Sequence, residues 1–114
     1  MRARTKIIFF DDNNEKFFGE GPYLLLKGLE ETGSLRAAAL QMEMAYTKAL
    51  KLIAHAENAL GFSLTTRKIG GSKGGGSQLT EQGKEWIKTY EAYRAACEQA
   101  NYELFLQYYP AKNR

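Results

Sequence analysis

Residues 70–79 read GGSKGGGSQL, and glycines around a lysine are residue types that can surround a phosphate group. A Walker-type phosphate loop has the order G-x-x-x-x-G-K-[ST] between a strand and a helix. Gly71 and Gly76 have that spacing, but Ser77 follows where the motif needs lysine. A flexible linker is a second interpretation, although only one helical segment follows. The simplest prediction is a β-hairpin tip, where glycines allow close approach to another backbone and Lys73 adds charge.

No other residues form a convincing catalytic or metal-binding pattern. His55 is the single histidine and Cys97 the single cysteine, and no Cys/His cluster has metal-ligand spacing. The acidic pairs Asp11–Asp12 and Glu30–Glu31 are explained more simply as solvated turn or helix charges than as an acid/base pair. The sequence therefore predicts a protein that is not an enzyme and has no metal or cofactor.

The distribution of charge is more informative than its total. The chain has 114 residues, enough for one domain, and its formal net charge is only +3. Residues 61–80 carry Arg67, Lys68 and Lys73 but no acidic residue. A cationic segment in a balanced chain predicts a polyanionic partner.

Three features of the sequence indicate the cellular compartment. Apolar residues make up 44% of the chain, but no apolar run approaches the length of a membrane span. The basic N-terminus lacks the apolar stretch of a signal peptide, and a single cysteine permits no internal disulfide. We therefore expect a cytoplasmic protein.

The first third of the chain predicts a hairpin followed by a helix. Strands near Thr5–Phe10 and Glu15–Phe18 flank the turn-forming DDNN. Pro22 suits the first position of the first helix, and Gly33 suits the left-handed position after its end.

Two further helices follow with only a short break between them. Ser34 is the predicted N-cap of SLRAAALQM, and AYTKALKLIAHAENAL ends at Gly61. The third helix has an apolar stripe, and Thr47, Lys51 and His55 lie on another side with Lys48 beside them. FSLTTRKI and SQL then read as two strands joined by the glycine-rich tip.

A last helix is predicted from Glu81 to Tyr109, capped by Thr80 and stopped by Pro110. It is long for a small domain, and an apolar seam with spacings of four and three runs along it. This seam predicts a homodimer interface formed by Trp86, Tyr90, Tyr93, Cys97, Ala100 and Leu104.

These elements together are typical of a winged helix-turn-helix, an α+β fold that binds duplex DNA. The alternative is a small α+β domain with a merely solvated basic hairpin. We expect one domain with an N-terminal β-hairpin (1–20), a winged helix-turn-helix (21–80) and a C-terminal dimerisation helix (81–110).

Two strings extend this interpretation: GPYLLLKGLEETGSLRAAALQMEMAYTKALKLI, and then RKIGGSKGGGSQLTEQGKEWI. Together they closely resemble the N-terminal DNA-binding domain of the molybdate-responsive ModE regulators, which belong to the LysR-like winged-helix group. The resemblance covers roughly residues 18–90. Its most specific parts are TGS at the helix-turn-helix, AYTKA at the recognition helix, and the glycine-rich wing with LTEQG after it.

The resemblance implies a homodimer that binds a palindromic operator, with one recognition helix per subunit in the DNA groove. It implies a DNA-binding set of Ser34, Tyr46, Thr47, Lys48, Lys51, Arg67, Lys68 and Lys73, and a wing containing Gly70, Gly71, Gly74, Gly75 and Gly76. For each contact residue the alternative is a solvated surface position, and Tyr46 could instead pack against the core.

Three departures from the family pattern matter. Ala45 stands where the family usually has a serine that can cap the recognition helix, and Leu50 stands where it tends to have tryptophan. ModE regulators also carry C-terminal oxyanion-binding domains, and the chain ends at Arg114 without a counterpart. We therefore expect no molybdate site in this chain.

The resulting functional hypothesis is a sequence-specific transcriptional regulator. The alternative is a DNA- or protein-binding adaptor that uses the same dimer but depends on a separate effector-binding subunit. A small enzyme is a third class of function, but the sequence offers no set of catalytic residues for it.

Overall fold

The computed structural model describes residues 1–68 and 76–111. Within these ranges the protein is a small α+β structure with four helices and two two-stranded antiparallel sheets. None of the described helices is long and apolar enough to cross a membrane. The elements are β1 (Phe9–Phe10), β2 (Lys16–Phe18), α1 (Glu20–Thr32), α2 (Leu35–Gln41), α3 (Tyr46–Leu60), β3 (Thr65–Arg67), β4 (Ser77–Leu79) and α4 (Glu81–Tyr108).

The N-terminal hairpin is shorter than the sequence predicts. Its turn forms at DDNN, where Oδ1 of Asp11 accepts hydrogen bonds from the backbone N–H groups of Asn13 and Glu15, both at 2.9 Å. The prediction of a first strand beginning at Thr5 is wrong, because β1 contains only Phe9–Phe10. Preceding residues bond to α4 instead, where Tyr90 donates to the Ile7 carbonyl at 3.3 Å.

Local capping chemistry defines the boundary between α1 and α2. Gly33 has the predicted left-handed backbone, with φ of 72°, and its N–H donates to the Leu29 carbonyl at 2.7 Å. The Ser34 side chain caps α2, accepting from the N–H of Ala37 at 3.1 Å. At its other end α1 begins at Glu20, before the predicted Pro22. A proline is tolerated there because first-turn N–H groups have no partner within the helix.

A compact turn separates α2 from α3. Glu43 has φ of 54°, a left-handed conformation that is uncommon for a residue other than glycine. The turn is closed by backbone bonds from Glu43 to Leu40 at 3.0 Å and from Met44 to Ala39 at 2.9 Å. Ala45 occupies the N-cap of α3 and makes no side-chain capping bond. The turn therefore holds the end of α2 close to the start of α3.

The core is built around α1, whose Leu25, Leu26 and Leu29 are fully buried. Full burial of one such side chain contributes about 1.5–3 kcal/mol. Ala49, Ile53 and Ala56 supply the buried face of α3, and α2 contributes Leu35, Ala38 and Ala39. The opposite face of α3 is consequently directed outward.

α4 begins against this core and extends away from it. Thr80 caps it, accepting from the N–H of Gly83 at 2.9 Å. The helix contains 28 residues, about 42 Å at 1.5 Å per residue. The molecule is therefore elongated, with extents of 62 × 31 × 25 Å.

A polar contact anchors α4 to α1. The Tyr23 hydroxyl donates to the Glu91 carboxylate, and Lys27 Nζ lies 3.7 Å from the same carboxylate. Burial, and then the Glu91 hydrogen bond, raise the pKa of the Tyr23 phenol above 10.0. Because the folded state favours the neutral phenol, the stabilisation linked to Tyr23 is complete below pH 10.0 and is lost as the pH rises through the folded-state pKa.

Candidate nucleic-acid interface

The outward face of α3 presents a hydroxyl and two ammonium groups. These groups belong to Thr47, Lys48 and Lys51, which are all exposed. The neighbouring Ala49 and Ile53 are buried. Thr47 and Lys51 are one helical turn apart and so lie on one side of the helix. The structure thus brings together on one exposed stretch of α3 three of the residues that the sequence singles out.

Tyr46, the first residue of α3, has a different environment. It is half-buried and packs against the hydrophobic core, in keeping with the alternative considered for it. Arg36 lies over its ring, with the guanidinium carbon 4.1 Å from the ring centroid. Leu50 is 44% exposed on the same helix, so this apolar side chain is also available to a partner.

Ser34 uses its side chain within the protein. Its hydroxyl oxygen accepts the N–H of Ala37, so the residue fixes the start of α2. Its backbone is held in turn by Thr32, whose hydroxyl donates to the Ser34 carbonyl at 3.0 Å. Ser34 therefore has a structural role whatever partner approaches it.

The second hairpin is fixed against the turn between α1 and α2. β3 and β4 pair with Thr65 opposite Leu79 and Arg67 opposite Ser77. The N–H of Ser77 donates to the Gly33 carbonyl at 3.1 Å. A Cβ at Gly76 would lie 2.8 Å from that carbonyl, so the close approach requires glycine there.

The base of this hairpin is cationic. Arg67 and Lys68 are exposed, and the N–H of Lys68 donates to the Gly76 carbonyl at 3.0 Å. The antiparallel pairing and the SQL strand are as predicted, but β3 covers only Thr65–Arg67 of the predicted FSLTTRKI strand. The remaining wing residues of the sequence prediction, Gly70, Gly71, Lys73, Gly74 and Gly75, lie outside the described residues.

Among the described residues, no neighbouring carboxylate neutralises the exposed cations of this surface. In residues 1–68 and 76–111, no acidic group lies within 4.0 Å of the charged nitrogens of Lys48, Lys51, Arg67 or Lys68. By contrast, the later part of α3 faces acidic groups. Glu15 lies 4.0 Å from Nε2 of His55. The start of α3 is therefore its cationic end.

Near the later, acidic end of α3, the structure brings together three residues that the sequence did not single out as a group. Asp11, Glu15 and His55 place one potential ligand atom each within 4.8 Å of one another. Asp11 and Glu15 belong to the first hairpin turn, forty residues or more before His55, so no local spacing could reveal the cluster. Oδ1 of Asp11 is already engaged by two backbone N–H groups, which accounts for its position without an ion.

Glu57 is a second residue that the sequence did not single out. Its Oε2 accepts from the N–H of Leu64 at 2.7 Å and from that of Thr65 at 3.3 Å. This carboxylate joins the end of α3 to the start of β3. The orientation of the second hairpin relative to α3 is consequently set by a charged side chain as well as by core packing.

The predicted seam on α4 divides into two parts. Trp86 and Tyr90 belong to an aromatic cluster within the chain, since Phe18 meets both rings edge-on, at 5.3 and 5.0 Å between centroids. Tyr90 is only 3% exposed. Farther along, Tyr93 is 49% and Leu104 52% exposed. Between them lie half-buried Cys97 and exposed Ala100.

The exposed part of the seam adjoins an apolar groove. The groove is lined by Phe9, Trp86, Thr89, Tyr90 and Tyr93. An exposed apolar row continuous with a groove is a surface that another chain can cover. The later part of α4 is thus the available region for an interface.

Comparison with known proteins gives a partial match. No family model matches the sequence. Over 68 residues, or 60% of this chain, it is 35% identical to the "Molybdenum transport protein ModE" of Azotobacter vinelandii. Over 71 residues, or 62% of this chain, it is 35% identical to the "Molybdenum-pterin-binding protein MopB" of Rhodobacter capsulatus.

The chain is related in a general way to ModE-like proteins. The matched segments cover 25% and 26% of the two relatives, so the chain spans about a quarter of their lengths. This similarity supports the resemblance noted in the sequence. The molybdenum-related activities in the names belong to those longer proteins.

Proposed function

We propose that the protein is a sequence-specific regulator of transcription that binds duplex DNA through a winged helix-turn-helix. The observation that carries this proposal is the exposed face of Thr47, Lys48 and Lys51. It lies on a helix that follows another helix after a compact turn. The cationic base of the second hairpin, Arg67 and Lys68, supplies a further set of groups suited to phosphates.

In this proposal α3 is the recognition helix and enters the major groove. Thr47 and Lys51 contact base edges there, and Lys48 contacts the backbone. Lysine can donate to the acceptors on guanine, whereas threonine can donate or accept. Leu50 adds an apolar contact of the kind that thymine methyl groups accept. Arg67, Lys68 and Lys73 hold phosphates on the side of the wing.

We further propose that the active form is a homodimer on a palindromic operator. The two α4 helices pair through the exposed part of the seam, so both recognition helices are related by one two-fold axis. The half-sites are then inverted and about one helical turn apart, roughly 34–36 Å, or a multiple of this distance.

The dimer gives a direct prediction for α4. Replacing Tyr93 and Leu104 together with alanine is expected to shift the protein from dimer to monomer at micromolar concentration, because both side chains lie on the exposed apolar row. Sedimentation equilibrium measures this. The matched control is Tyr102→Ala: Tyr102 is 56% exposed but lies on the opposite side of α4. A wild-type monomer, or a double variant that dimerises as well as the wild type, contradicts the interface.

Salt dependence tests whether the cationic surface binds DNA. Lys48, Arg67, Lys68 and Lys73 are four candidate phosphate partners per subunit. If about three act at once, the dimer makes about six contacts, and a log–log salt slope near −5 follows from roughly −0.9 per phosphate. Fluorescence anisotropy on one duplex across a salt series measures the slope. A slope near zero contradicts the proposal, and binding only after a second subunit is added would favour the adaptor.

A further inference from the structure

Arg36 is an exposed cation on α2 that lies directly over an aromatic ring. Its guanidinium carbon is 4.1 Å from the ring centroid of Tyr46. A guanidinium held over a ring by a cation–π contact spends none of its N–H donors on that contact. Among the described residues no carboxylate lies within 4.0 Å of those donors. Arg36 is therefore held in place while its hydrogen-bonding groups are left for a partner.

The position of this pair connects the two cationic regions of the surface. Tyr46 immediately precedes Thr47, so Arg36 lies at the N-terminal end of the exposed face of α3. Arg36 also follows Ser34 by two residues, at the end of α2 that adjoins Gly33. The Gly33 carbonyl binds the second hairpin, and Lys68 Nζ lies 4.0 Å from the point where a Cβ on Gly33 would stand.

We infer that Arg36 is a phosphate-binding residue of the DNA interface and that Tyr46 holds it in position. This inference rests on the proposed function. A backbone phosphate fits better than a base edge, because the helix before the recognition helix crosses the DNA backbone. The fork of guanidinium donors also matches two phosphate oxygens at once. Tyr46 thereby acts through its ring face, as a positioning residue, and its packing against the core keeps that face fixed.

The inference predicts specific behaviour of the Arg36→Ala variant. On a duplex selected with the wild-type protein, affinity falls at least about tenfold, since a charge-assisted hydrogen bond is lost in each subunit. The log–log salt slope becomes shallower by about two units for a dimer, at roughly 0.9 per phosphate. The preferred base sequence does not change, because phosphate contacts position without specifying. The control is Lys88→Ala, which removes an exposed cation of α4. Its DNA affinity and its salt slope should equal those of the wild type.

A double-mutant cycle tests the role of Tyr46. Tyr46→Ala is expected to weaken binding, and adding Arg36→Ala to it should cost less than Arg36→Ala costs alone, because the supported residue is already misplaced. Tyr46→Phe keeps the ring and binds more tightly than Tyr46→Ala. Arg36→Lys keeps the charge and hence the salt slope, but loses affinity because lysine lacks the planar fork. Thermal unfolding by circular dichroism verifies that each variant is folded.

The outcomes separate this inference from the function on which it rests. If the wild type binds duplex DNA and Arg36→Ala leaves both affinity and salt slope unchanged, the inference is overturned and the proposed function stands. Additive losses in the cycle overturn the role of Tyr46. A wild-type protein without affinity for any duplex overturns both.

Discussion

Replacing Lys51 with alanine is expected to change which DNA sequence the protein prefers. Its ammonium group is exposed on α3 and lies one turn from Thr47, so in our proposal both side chains reach base edges. A good base contact contributes about 1–3 kcal/mol of discrimination, roughly a five- to 160-fold difference in affinity. Lys51→Ala and Thr47→Ala should therefore lose most of the difference between the preferred duplex and one altered at the contacted base pair.

Variants of the second hairpin provide the comparison for these two α3 variants. Lys68→Ala and Lys73→Ala should weaken binding about equally on preferred and scrambled duplexes, because phosphate contacts carry no direct sequence information. Each variant is titrated against both duplexes by fluorescence anisotropy at one salt concentration. If the hairpin variants changed the base preference while Lys51→Ala did not, the roles assigned to α3 and the hairpin would be reversed.

Replacing Gly83 with alanine should destabilise the fold strongly. An added Cβ would stand 2.3 Å from the Leu64 carbonyl oxygen, a backbone atom that cannot rotate away. Overpacking commonly lowers the free energy of unfolding by about 1–3 kcal/mol and occasionally more. For Gly83→Ala we expect a loss at the upper end of this range. The expected result is a lower urea midpoint, measured by the fluorescence of the single tryptophan, Trp86, which lies on the same helix.

The chain contains its own control for this substitution. Gly21 is also in the first turn of a helix, but a Cβ there would meet nothing within 4 Å. Gly21→Ala is expected to be neutral or stabilising by up to about 1 kcal/mol, because alanine favours the helix more than glycine. If Gly83→Ala were as stable as Gly21→Ala, α4 could not pack against Leu64 as closely as described.

What the sequence predicted well is local in origin. Ser34 and Thr80 cap α2 and α4, and Gly33 ends α1, because each role depends on one side chain or one backbone angle. The periodic apolar residues of α3 likewise identified its buried face. With that face known, Thr47 and Lys51 had to lie on the outside.

What the sequence missed depends on contacts between distant segments. The residues before Phe9 lie beside α4 rather than extending the first strand, so the predicted strand was too long. Tyr90 has the spacing of an interface residue, yet it is buried by Phe18 in the same chain. A spacing of four and three identifies an apolar row but cannot tell which partner covers each part of it. The contact between Arg36 and Tyr46 joins residues ten positions apart in two helices and has no sequence pattern of its own.

Selection of bound sequences from a random duplex pool tests sequence-specific DNA binding most directly. The wild-type protein is expected to enrich an inverted repeat whose half-sites are separated by about one helical turn or a multiple of it. The same selection with Lys51→Ala should enrich a repeat altered at the contacted position. Failure of the wild-type protein to enrich any sequence over successive rounds would contradict a sequence-specific regulator.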